Sequence, residues 1–233
     1  MIYVCSDLHG HLSVYHKIKA MLNPEDEVYF LGDAGDRGPD SWETIKAIYN
    51  DPQFHYIKGN HEDMMVKACR EYLIDGNMWD YQTYNLCLWN GGRETLEAWE
   101  WDPDRIEWFK KLNLLPTWER IEVCGRAYIL CHAGFTPWIP EGESECEIPW
   151  DETLIWDRDH YLDDWVADEM EDVIIVHGHT PIHHLAKDLR ADWEDGPFWY
   201  ADGHKVCIDS GGFFSDEFIL LNLNTLESWI LTS

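Results

Sequence analysis

Five short apolar runs punctuate this chain, and each ends in residues able to bind metal ions or protons. Ile2-Tyr3-Val4-Cys5 leads into Asp7 and His9, and Val28-Tyr29-Phe30-Leu31 leads into Gly32-Asp33-Ala34-Gly35-Asp36-Arg37-Gly38. Phe54-His55-Tyr56-Ile57 precedes Gly59-Asn60-His61-Glu62; Tyr128-Ile129-Leu130-Cys131 precedes His132; Val173-Ile174-Ile175-Val176 precedes His177-Gly178-His179. Short β-branched and aromatic runs bounded by Gly and Asp are strand signals. In α/β sheets, reactive groups collect beyond the carboxyl ends of the strands. A chain that delivers Asp, His, Asp, Asn, His and His to one rim has the makings of a two-metal site.

The first sixty residues read as strand–helix–strand–helix–strand. Asp40 and Ser41 are placed to cap a helix that carries Ile45 and Ile48 inward. Residues 61–75 read as a further helix. Residues 79–114 are rich in Trp, Tyr, Leu and Glu, with Asp102-Pro103 as a helix start, and predict a helical insertion walling one side of the site. From 117 onward strands predominate, with hairpin-like breaks at Gly125, Pro181 and Asn224. No linker, repeat or low-complexity tract divides the chain, so one domain over residues 1–233 is expected.

Charge and cysteine usage limit the function classes. The formal net charge of -28 argues against broad nucleic-acid binding, because phosphate backbones need clustered Lys and Arg. Acidic residues 141–147 read as a surface loop. No apolar stretch is long enough to span a membrane, and the N-terminus enters a strand without a leader pattern. The seven Cys are scattered without a C-x-x-C pair, which predicts reduced thiols in the cytoplasm. Cys5, Cys131 and Cys207 lie in apolar runs and are expected to be buried.

Asp7-x-His9 alone is a weak signal, since Asp at a strand end commonly makes a turn with its own backbone. Gly32-Asp33-x-x-Asp36-Arg37-Gly38 is more specific, and its composition returns at Gly59-Asn60-His61-Glu62 and Gly178-His179-Thr180. Glycine at these places lets the chain bend sharply, so that the ligand faces the rim.

Together with Ser6-Asp7-Leu8-His9-Gly10, His132-Ala133-Gly134 and Gly178-His179-Thr180-Pro181, these motifs resemble the calcineurin-like metallophosphoesterases. The Asp-Arg-Gly and Asn-His-Glu forms resemble the phosphoprotein phosphatase branch, and among its members the compact phage and bacterial serine/threonine phosphatases. Asn90-Gly91-Gly92, Ile155-Trp156-Asp157-Arg158 and Ile208-Asp209-Ser210-Gly211 extend the likeness over residues 2–214. Ser6 stands where that family usually has Gly, and Gly35 where it usually has an apolar residue; neither removes a ligand.

The resemblance implies an α/β (α+β) four-layer fold, two packed mixed β-sheets flanked by helices. It implies that Asp7, His9 and Asp33 hold one metal, and Asp33, Asn60, His132 and His179 a second, with Asp33 bridging. Such metals lie ~3.5–4 Å apart and share a hydroxide that attacks phosphorus in line. Oxygen and imidazole ligation without thiolate suits two divalent ions, Mn²⁺ first, with Fe or Zn as alternatives. Arg37 and Arg158, with Asn60, would hold the substrate phosphate. His61 would be the general acid, and Asp36 would fix its ring.

The implied activity is that of a serine/threonine protein phosphatase, with dual specificity as an extension, acting on phosphoprotein or phosphopeptide substrates. Its competitor is a symmetrical bis(5'-nucleosyl)-tetraphosphatase, which shares the motif skeleton. An inactive phosphoesterase-fold scaffold should have lost ligands, and all are present here. His11, His16, His55, His160, His183, His184 and His204 read as surface or packing residues, and His177 as a strand-end neighbour. The Trp and Tyr of 79–101 read as local core, with a substrate-groove wall as the other option.

Overall fold

Period-two alternation in the apolar runs sets the layering. In a computed structural model that describes residues 1–75, 82–135, 151–158, 160 and 172–233, β1 (Ile2–Cys5), β2 (Glu27–Phe30) and β3 (Phe54–Tyr56) run parallel. The crossovers are α1 (Leu12–Met21) and α2 (Ser41–Asn50). After β3 come α3 (Asn60–Asp75), α4 (Gln82–Trp89), α5 (Arg93–Trp101) and α6 (Arg105–Asn113). The chain then makes β4 (Trp118–Val123), β5 (Arg126–Cys131), α7 (Asp151–Trp156), β6 (Val173–His177) and α8 (Ile182–Leu189). It finishes with β7 (Phe198–Tyr200), β8 (Lys205–Cys207), α9 (Gly212–Ser215), β9 (Glu217–Asn222) and β10 (Ser228–Thr232).

One sheet has the order β10-β9-β1-β2-β3 and the other β4-β5-β6-β8-β7. Both are mixed: β9 is antiparallel to β1, and β4 and β7 are antiparallel to β5 and β8. Val4, Tyr29 and Leu31 from the first sheet meet Tyr128, Leu130, Ile174, Val176 and Val206 from the second in one core between the sheets. The alternate residues Tyr3, Cys5, Val28 and Phe30 face outward and are covered by helical residues such as Ile18, Ile45, Ile48, Met65 and Trp99. On the far side, Ile129, Cys131, Val173 and Ile175 pack against Leu154 and Ile155 of α7. Helices, sheet, sheet and helix are the four layers expected.

The alternation β1-α1-β2-α2-β3 follows the sequence reading, as do α3 and the helices α4 to α6, whereas α7, α8 and α9 fall in the region read as mostly strands. Cys5, Cys131 and Cys207 are buried free thiols. Several local expectations need correction. Asp40 occupies the N-cap position of α2 but makes no side-chain capping bond; Ser41 Oγ instead donates to the Gly38 carbonyl at 2.9 Å. The helix expected at Asp102-Pro103 begins two residues later, at Arg105: the Asp102 carboxylate accepts the Asp104 N–H and the Trp42 indole N–H, and a turn over residues 103–104 leads into α6.

Cys124-Gly125 and Asn224 lie in hairpin turns, but Pro181 does not: it precedes α8, where a missing N–H is harmless. Tyr84 and Trp99 are buried as expected, whereas Trp89 and Trp101 are exposed. The acidic loop at 141–147 and the ring residues Trp79 and Tyr81 lie outside the described residues. Among the described residues, no helix is long and apolar enough to cross a membrane.

Candidate metal and phosphate site

Tight turns, many of them left-handed, bring the strand ends together. Asp7, His9, Asp33, Asp36, Arg37 and His179 all have positive φ, between 41° and 69°. Asp and His tolerate this region better than most residues, yet each instance still costs of order 1–3 kcal/mol. Such a concentration of strain at one rim persists only because surrounding contacts hold it. Glycine makes the closest approaches. A Cβ on Gly178 would lie 2.2 Å from Asp7 Oδ2, and one on Gly59 would lie 2.2 Å from Asp33 Oδ1.

Glu62 is the chief clamp, a role that the sequence reading did not assign. Its Oε2 accepts the N–H groups of Asp33 at 2.9 Å and Gly59 at 2.8 Å; its Oε1 accepts the Ala34 N–H at 2.9 Å and the Tyr56 hydroxyl at 2.7 Å. One buried carboxylate thus ties the turn after β2 to the turn after β3. In Glu62→Gln an amide N–H would face backbone N–H groups. The expected loss is about 2–3 kcal/mol of stability in chemical denaturation; a change within about 0.5 kcal/mol, the range of ordinary surface substitutions, would remove Glu62 from this role.

Among the described residues, two groups of donor atoms converge. His9, Asp33 and His61 form one, Asp33, His132 and His179 the other, and within each group the ligand atoms lie within 4.8 Å of one another. Asp33 is common to both. Its Oδ1 is 3.4 Å from His132 Nε2, and its Oδ2 is 3.8 Å from the Nε2 atoms of His9 and His61. Asn60 Oδ1 sits 2.9 Å from both His132 Nε2 and His179 Nδ1. Asp7 stands outside both groups; its Oδ2 accepts the His179 N–H at 3.2 Å.

The residues present fit divalent cations. His9 and His132 donate from Nδ1 to the carbonyls of Gly35 (3.0 Å) and Leu31 (2.6 Å), so each neutral ring aims a bare Nε2 inward. For His132 that nitrogen lies 2.9 Å from Asn60 Oδ1, a contact that a proton, a cation or the opposite orientation of the Asn60 amide satisfies. Burial opposes a charge on His132, but Asp33, with its hydrogen bond, and Asp7 push the ring up to about 10. Burial, then Asp209, holds the Asp7 carboxyl well above its usual range, and burial pushes Asp209 up to about 6. Burial, then neighbouring positive groups, keeps His9 and His179 well below theirs. An acidic cluster that drags a buried imidazole toward protonation is a site made for positive charge, and its O/N donors suit Mn²⁺, Fe or Zn²⁺.

Beside these groups lies a hydrogen-bonded chain. Thr95 Oγ1 donates to Asp36 Oδ1 at 2.5 Å, and Asp36 Oδ2 accepts from His61 Nδ1 at 2.7 Å. The Arg37 guanidinium donates to His9 Nε2 at 2.9 Å and to His61 Nε2 at 2.8 Å, while its backbone N–H is held by the Gly91 carbonyl at 3.2 Å. Arg37 and Arg158 line the same cavity of about 680 Å³, together with His9, Asp33, Asn60, His179 and Asp209. The His177 ring is engaged elsewhere: Nε2 accepts from the Tyr200 hydroxyl at 2.8 Å, and Nδ1 donates to the Gly178 carbonyl.

Thr95 and Asp209 went unassigned in the sequence. Asp209 carried the same signal as the candidate ligands, an apolar run, Val206-Cys207-Ile208, ending in a carboxylate. Nothing near Thr95 in sequence points to Asp36.

Comparison with known proteins matches residues 1–208 to the sequence model of the calcineurin-like phosphoesterases. Serine/threonine-protein phosphatase 2 of Escherichia coli is 35% identical over 88 residues, 34% of this chain and 36% of that one. The symmetrical bis(5'-nucleosyl)-tetraphosphatase of Legionella pneumophila is 25% identical over 179 residues, 74% of this chain and 51% of that one. These matches therefore span less than two thirds of either relative. A serine/threonine phosphatase structure from Saccharomyces cerevisiae superposes with a TM-score of 0.56 at 15% identity, over 99% of this chain and 78% of that one, a likeness of fold.

Proposed function

The chain belongs to the calcineurin-like phosphoesterase family, and from that premise we propose that it is a metal-dependent phosphomonoesterase acting on phosphoserine and phosphothreonine, and on phosphotyrosine, in proteins. The observation that carries this reading is Asp33, shared between two donor groups in a cavity that also presents two guanidinium groups. In the proposed assignment Asp7, His9 and Asp33 hold one divalent ion, and Asp33, Asn60, His132 and His179 the other. Such an ion pair supplies Lewis acidity and a water acidified to near-neutral pH.

The chain's own groups do the rest. Arg37 and Arg158 take phosphoryl oxygens, a pairing for which the planar guanidinium is suited, and the Asn60 amide adds a donor. His61, its Nδ1–H fixed on Asp36, carries at Nε2 the proton for the leaving oxygen. A protonated Nε2 and the Arg37 guanidinium are both donors, so their present contact is given up as Arg37 turns to the phosphoryl group.

The tetraphosphatase reading stays in play because that relative aligns over 74% of the chain. Against it, a formal charge of -28 repels a polyanionic nucleotide. The test is side-by-side turnover of a phosphoseryl peptide and diadenosine tetraphosphate by manganese-loaded protein. We expect the peptide to show the higher kcat/KM; efficient cleavage of the dinucleotide with an inert peptide would reverse the assignment. Turnover of neither, nor of an aryl phosphate, would favour the inactive scaffold.

A further inference from the structure

Three large aromatic side chains stand exposed on the wall of the cavity that holds Arg37 and Arg158. Phe213 is 40% exposed, Phe214 74% and Trp89 82%. Exposed apolar surface gathered at a pocket marks a place where something apolar binds. The placement is built. Gly211 has a φ of +72°, and a Cβ on Gly212 would lie 2.3 Å from the Phe218 ring, so the chain can turn this tightly only with glycine there. The one-turn helix α9 then carries Phe213 and Phe214 edge-to-face, ring centroids 4.9 Å apart.

The rings sit next to the phosphate groups. The Arg37 guanidinium carbon lies 5.5 Å from the centre of the Phe213 ring, and the His9 ring lies 6.4 Å from it. The group beyond the ester oxygen of a phosphate held by Arg37 therefore has Phe213 within reach. In an aryl ester the next atom already belongs to a flat ring. In a seryl or threonyl ester the next atoms are a single aliphatic carbon and then peptide backbone, with no flat face to stack. In a nucleotide a sugar separates phosphate from base, which carries the base past this position.

We infer that Phe213 and Phe214, with Trp89 on the same cavity wall, form an aromatic subsite that selects aryl phosphate monoesters, the phosphotyrosyl side chain among them, over alkyl esters. This rests on the phosphomonoesterase reading and names the preference of that same site. Offset or edge-to-face contact with one ring supports roughly a 3–10-fold preference.

The test separates the subsite from the activity. Phenylphosphonate and ethylphosphonate carry the same head group and are not hydrolysed; each is titrated by calorimetry into manganese-loaded protein. Phenylphosphonate should bind roughly 3–10-fold tighter, and the ratio should fall towards one in Phe213→Ala. Phe213→Leu keeps apolar volume without a flat ring and should behave the same way, which covers the case in which the alanine variant does not fold. In turnover, the kcat/KM ratio of a phosphotyrosyl to a phosphoseryl peptide of otherwise identical sequence should drop by a similar factor, through KM. Equal binding of the two phosphonates by the unaltered protein, or a ratio unmoved in the variants, overturns the inference. If neither peptide is turned over while the phenyl preference persists and is lost in the variants, the subsite stands and the phosphoprotein reading falls.

Discussion

Replacing His61 with Asn lowers turnover of a phosphoseryl peptide by roughly 10²–10⁴-fold, the range of general acid catalysis, and leaves the metal content unchanged. The effect follows from the ring's two contacts. Asp36 Oδ2 accepts the Nδ1–H at 2.7 Å, which leaves Nε2, now held by Arg37, as the ring position that would carry the proton for the leaving oxygen once Arg37 turns to the phosphoryl group. Serine alkoxide is a poor leaving group and needs that proton; nitrophenolate barely does, so the loss on nitrophenyl phosphate should be much smaller. Asp36→Asn and Thr95→Val act only through the ring and should give smaller losses with the same leaving-group trend. Metal analysis matters here because His61 Nε2 also lies 3.8 Å from Asp33 Oδ2, close enough to be a ligand. A metal lost from His61→Asn, or equal losses on both substrates, would make His61 a ligand or a phosphate-binding group instead.

Replacing Asp33 with Asn should be more damaging still. Its two oxygens face different groups, Oδ1 towards His132 and Oδ2 towards His9 and His61. An amide keeps one acceptor and no charge. Asp33 Oδ1 also accepts the His61 N–H at 3.0 Å, so the substitution disturbs the proposed acid as well. Bound ions contribute several kcal/mol of transition-state charge stabilisation, so turnover should fall on the order of 10³-fold or more. Equilibrium dialysis should show less than two manganese ions per chain. Full metal occupancy with activity within about tenfold of the parent would mean that Asp33 does not bridge.

The local parts of this site were legible because their signals are local. Strand runs show their period over four residues, and a glycine, Asp or His after such a run marks a turn at the strand's end. Asp33, Asn60, His61, His132 and His179 stood out this way. Pro181 misled for a physical reason: proline interrupts a hairpin and begins a helix equally well, and only the packing of Ile182 and Leu185 into the core shows which. The opposite case is Asp209, which carries the strand-end signal, while its place in the cavity wall depends on the fold.

By itself the sequence determined the family, the strand–helix alternation of the first sixty residues, and the residue types that reach the rim, since these depend on short-range periodicity and turn chemistry. Tertiary structure alone decided which atoms meet. Thr95 reaches Asp36 across 59 residues of chain, and Asn60 Oδ1 settles between two histidines from different strands. Glu62 became a clamp only when two turns approached it. The left-handed backbone at Asp7, Asp33 and His179 is disfavoured locally and exists because packing between the sheets and these long-range bonds outweigh it. A site whose geometry is held against local preference is written in contacts between distant segments, and no short window of residues contains them.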